Sequence, residues 1–111
     1  MAEKLSVADL AKKMLGAMVP VLKAHWKDVS DYAKTEAKKT AETLALIARK
    51  YADKTIDGDT ARAYLDMQKL STQNVLLAIE GIGLAAAQEA INAALDAVKA
   101  PVNAAIGFKL L

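Results

Sequence analysis

The chain has 111 residues, the length of one domain, and its 54% hydrophobic and 25% charged residues are the composition of a chain that folds. With no cysteine it has no disulfides, thiolate metal ligands or thiol catalysis, and the net charge of +2 is nearly balanced. Alanine supplies 24 residues and the aromatics only Trp26, Tyr32, Tyr51, Tyr64 and Phe108, with five glycines and two prolines beside them. Such a composition, without an alternating β-branched run of strand length, predicts an all-α fold.

Ser6 reads as the N-cap of a first helix, with Asp9 in the capping-box position and Leu5 and Leu10 as a hydrophobic staple. Val7, Leu10, Met14, Met18, Val21, His25 and Val29 then recur at spacings of three and four, an eleven-residue repeat that predicts a nearly straight helix. Ala33, Ala37, Thr40, Leu44, Ile47 and Tyr51 continue the stripe, so helix A is expected over about 7–52. Pro20 falls on the opposite face and predicts a kink. Lys12 and Lys13 before the apolar stretch 14–22 imitate a signal peptide, but Lys23, His25, Trp26 and Lys27 follow it where a small-residue cleavage site would stand. No run reaches the length of a spanning helix, and a cytoplasmic protein is the expectation.

Residues 53–57 form the expected turn, with Asp57 capping a helix B that runs over about 58–106, kinks at Pro101 and stops at Gly107. The loop is loosely like a calcium loop, but its twelfth position is Tyr64 where a bidentate Glu is needed. Two long helices joined by five residues make an antiparallel hairpin. Helix B is apolar over more than half its circumference. Leu84, Ile91, Leu95, Val98, Val102 and Ile106 fall on one line beside a broad alanine face, and Phe108 lies in an apolar tail, 107–111. One neighbour cannot cover that surface, so these residues are the expected oligomer interface of a hairpin that self-associates into a helical bundle. The alternative is that Pro20 and the pair Gly81 and Gly83 break both helices and fold one chain into a compact four-helix bundle.

Lys12, Lys13, Lys23, Lys27, Lys34 and Lys38 share one sector of helix A, a surface for anionic lipid or an acidic protein. No aromatics interleave with them, which argues against nucleic acid. His25 is the sole histidine and lies on the apolar stripe, without the Glu-x-x-His spacing of a bundle metal site. Hairpin register places Glu80 nearer Tyr32 and Glu36. No catalytic or metal-binding residues and no cofactor are assigned. The expected function is a non-enzymatic structural or scaffolding protein whose partner is itself. A peripheral lipid-surface or granule-binding protein is the first alternative, and a carboxylate-based metal-binding bundle is the second.

Overall fold

Ser6 starts the first helix by accepting the Asp9 backbone N–H at 3.3 Å, which satisfies one of the donors that every helix N-terminus leaves free. The computed structural model describes residues 5–111, and among them lie four α-helices and one short 3₁₀ turn. These are α1 (Val7–Leu22), the 3₁₀ turn Lys23–His25, α2 (Trp26–Ala52), α3 (Gly58–Leu77) and α4 (Leu84–Ile106). The chain is all-helical and compact, with extents of 43 × 23 × 18 Å.

The two long helices of the expected hairpin are each interrupted. A continuous helix over 7–52 would be about 70 Å long at about 1.5 Å per residue, well beyond the longest axis of 43 Å. Pro20 is accommodated inside α1, near its end, and the reversal comes just after it. There Leu22 (φ −100°, ψ 12°) and His25 (φ −119°, ψ 14°) leave helical geometry for the bridge region. Three residues connect two helices that pack extensively on each other, so α1 and α2 run antiparallel. Leu10, Met14, Met18 and Leu22 of α1 are all buried, as are Val29, Ala33, Ala37, Leu44 and Ile47 of α2. The single stripe expected along helix A is thus two stripes folded toward one core.

The second interruption spans residues 78–83. Gly81 takes φ +93°, a left-handed conformation, and Ile82 behind it is buried. The two turns meet at this end of the bundle: a Cβ on Gly81 would stand 2.6 Å from Cε1 of the His25 ring. Glycine is therefore required both for its backbone angle and for the space it leaves.

Around the bundle, α1 packs against α2 and α4, and α3 packs against α2 and, less closely, α4. α1 and α3 are diagonal, their backbones apart, whereas α2 also approaches α4. This arrangement is that of an up-and-down four-helix bundle with short connections. At the far end, Asp57 caps α3 by accepting the Thr60 N–H at 2.8 Å. Gly107 (φ +91°) terminates α4, and the chain folds back so that Asn103 Oδ1 accepts the N–H groups of Leu110 and Leu111 at 3.1 and 2.9 Å. Leu110 is buried by this clamp. Phe108 lies against Tyr51, with ring centroids 4.7 Å apart, and under the Arg62 guanidinium.

Two tests follow from the glycines and one from the cap. Gly81→Ala is expected to lower stability by about 1–3 kcal/mol, the cost of a strained backbone conformation. Gly16→Ala, in the open middle of α1, is expected to raise it by about 0.5–1 kcal/mol. Urea titration of the two variants checks the opposite signs. The Thr60 backbone N–H, with further donors beside it, lowers the Asp57 carboxyl below its ordinary value of 3.8. A lowered folded-state value means that the cap stabilises fully above about pH 4, and that this contribution is lost as pH falls further. Asp57→Asn keeps a capping oxygen without the charge, so its melting temperature should fall less steeply than that of the parent below pH 4.

Candidate functional site

The surface expected for self-association is inside the molecule. Ile91, Leu95, Val98, Val102 and Ile106 are buried in the core of their own chain, and Phe108 is half-buried against Tyr51 and Gly58. Their cover is intramolecular because the reversal at Lys23–His25 lays α1 along α4. Met14 and Met18 of α1 line one small cavity together with Ile91, Ala94 and Leu95 of α4. Of the expected line only Leu84 remains open, at 50% exposure.

The six lysines are all exposed. They no longer share a helix sector: Lys12 and Lys13 stand on α1, Lys23 in the turn, and Lys27, Lys34 and Lys38 on α2. Antiparallel packing about that turn brings Lys12 and Lys13 level with Lys34 and Lys38. The α1–α2 half of the molecule is basic on balance and the α3–α4 half acidic.

Glu36, Glu80 and His25 are separated. Glu36 sits mid-bundle on α2, Glu80 is exposed in the loop between α3 and α4, and His25 lies against Gly81. The hairpin register that put Glu80 near Glu36 fails because α3 ends three residues before Glu80. Among the described residues no three His, Asp or Glu side chains gather as a metal site would require. Nor is any helix among them long and apolar enough to cross a membrane.

Among the described residues Glu36 is the one charged side chain in the core, 2% exposed, and burial of a carboxylate is costly unless it is bonded. The bonds come from α3. Thr43 donates to Gln68 Oε1 (3.1 Å), Gln68 Nε2 donates to Thr72 Oγ1 (3.1 Å), and the Thr72 hydroxyl donates to Glu36 Oε1 (3.0 Å). Lys39 Nζ lies 3.5 Å from Glu36 Oε2. Spacings of three and four on α2 (36, 39, 43) and four on α3 (68, 72) place all five on facing sides of two helices. The cavity beside Glu36 measures about 20 Å³, room for about one water. The site is too small to hold a substrate. It is a polar clasp between helices.

α3 has a second, outward face that the sequence reading missed. Ala61, Leu65, Thr72 and Leu76 point into the bundle, whereas Met67 (68% exposed), Leu70 (57%) and Leu77 (38%) form an apolar line on the solvent side. Ala63 and Asn74 complete it, both exposed. Grooves flank the helix on both sides. Thr43, Leu46, Tyr64 and Met67 line one of about 350 Å³ toward α2. Asp66, Leu70, Gln73, Gln88 and Asn92 line another of about 320 Å³ toward α4. α3 therefore stands out as a ridge with apolar residues along its crest. The signal was present as apolar positions on two sides of one helix.

The clasp can be tested on its hydroxyl. Thr72→Val keeps the shape and removes the donor to Glu36, which is expected to cost about 1.5–3 kcal/mol, the usual loss for a hydrogen bond to a charged group. Lys39→Ala should cost less than about 1 kcal/mol, because that lysine is half in water. Chemical denaturation of both variants checks the order. Comparison with family models, with curated proteins and with solved structures gives no match to this chain.

Proposed function

We propose that this protein is a non-enzymatic structural or interaction protein that works as a homo-oligomer, its copies meeting at the outer face of α3. The supporting observation is the exposed line of Met67, Leu70 and Leu77 on a helix whose inner face is already packed. Large apolar side chains scattered singly over a surface need no explanation, but three on one helical line support the reading of a contact surface. The buried α4 line contributes only to the fold. Self-association through α3 uses what folding leaves over.

A second reading has its own observation. The six lysines are exposed on the basic α1–α2 half, a surface suited to anionic lipid or an acidic partner. Binding to vesicles of anionic lipid at low salt, reduced when Lys34 and Lys38 become Glu, would favour that reading.

The main reading is tested by absolute mass from light scattering over a range of concentrations. A mass above that of the single chain, reduced by Leu70→Asp without loss of helical circular dichroism, is the expected result. Ile91→Asp provides the contrast. It buries a charge in the core, so it is expected to cost about 4 kcal/mol or more and to unfold the bundle instead of dissociating it. A wild-type mass equal to one chain at every concentration would overturn self-association.

A further inference from the structure

The geometry points to a specific mode of contact, which rests on the homo-oligomeric reading above: α3 pairs with α3 of a second copy in parallel, as a short two-stranded coiled coil. The outer positions 63, 67, 70, 74 and 77 are spaced by four, three, four and three, the spacing of a heptad seam. In that frame Leu70 and Leu77 occupy d, Met67 and Asn74 occupy a, and the helix turns its b, c and f positions to its own core. Leucine at d suits two strands, and a single asparagine at a is a device that fixes register and strand number.

Asn74 decides the direction. In a parallel pair each a position meets its own copy, so the Asn74 amides donate and accept across the two-fold axis. In an antiparallel pair Asn74 would face Ala63, Met67 or Leu70, depending on register, and its amide would be desolvated without a partner. Charge agrees with this choice. A two-fold axis along the helices sets α2 of one copy on the same side as α4 of the other, and α2 carries net positive and α4 net negative charge. An axis across the helices would set the basic α2 beside its own copy.

The size of the surface sets the strength. α3 has 20 residues, so its face is about 30 Å long and about 10 Å wide. Two such faces with their flanks bury on the order of 1,000 Å², the lower edge of specific interfaces. The pair is therefore reversible and concentration-dependent.

The absence of cysteine makes the test direct, since single cysteines can be introduced at will. In a parallel pair Ala63→Cys and Leu77→Cys, at the two ends of the seam, each form a disulfide-linked dimer with their own kind, because Cα atoms across the axis lie near the separation of about 5.5 Å that a disulfide needs. Asn74→Leu removes the polar pair and should tighten self-association about tenfold. Leu70→Cys linking to Met67→Cys or to Asn74→Cys in mixed samples, with neither end linking to its own kind, would mean an antiparallel pair and overturn the proposal. An oligomer in which none of these self or mixed links forms would place the contact elsewhere, overturning this pairing while leaving homo-oligomerisation intact. A single-chain mass for the wild type at every concentration would overturn both.

Discussion

The contact between α1 and α4 is the interaction on which the rest of the bundle depends. α4 is apolar over most of its circumference, with Ala87, Ala90, Ile91, Ala94, Leu95, Val98 and Val102 all buried, and no single neighbour could cover it. α1 reaches it only because the chain turns back at Lys23–His25. That turn meets the opposite loop, where the His25 ring lies against Gly81. Each fully buried side chain of the size of Met14 or Leu22 contributes about 1.5–3 kcal/mol. A straight helix would leave several of them in water, which outweighs the local cost of three non-helical residues.

The α2–α3 contact follows a different rule. Its central layer is polar, and the chain of bonds from Thr43 through Gln68 and Thr72 to Glu36 leaves no buried side-chain nitrogen or oxygen unsatisfied among the described residues. Such a layer adds little net stability compared with an apolar one of the same shape. It does fix register: a shift of α3 by one turn along α2 would take the Thr72 hydroxyl away from Glu36 and break the Thr43–Gln68 bond. α3 is thus placed by specific bonds, and contributes only Ala61, Leu65 and Leu76 to the apolar core.

Local signals were legible in the sequence. The caps at Ser6 and Asp57 and the stop at Gly107 appear where short-range chemistry puts them, since each depends on residues within one turn. The reversal at Lys23–His25 was not legible, because Lys, Ala and His are acceptable in a helix and the apolar period runs through them unbroken. Gly81 and Gly83 mark the second turn, and a break there together with one at Pro20 is the alternative that folds one chain into a four-helix bundle; the unbroken apolar stripe favours a straight helix A instead. From the preference for a straight helix A the rest follows. With helix A taken as straight, the α4 face needed a second chain, and Ile91 and Leu95 became a surface when they are core. Glu36 enters the sequence reading only as a neighbour of Glu80 in the hairpin register, since its partners Thr72 and Gln68 lie 36 and 32 residues away and become visible only once the true register is known.

The two faces of α3 bear on each other. A helix held to its bundle by a polar clasp and few apolar contacts is the element most easily loosened, since opening it exposes little hydrophobic area. A partner helix on the outer face would bury Met67, Leu70 and Leu77 and so add apolar contact where the bundle itself supplies least. Association and local order would then be coupled, because such a pair would form only on an ordered helix and the helix would be better ordered in the pair. The asparagine within an otherwise apolar line would suit such a pair: it would weaken the seam, so that α3 would stay committed to its own clasp when copies are dilute and pair when they are concentrated.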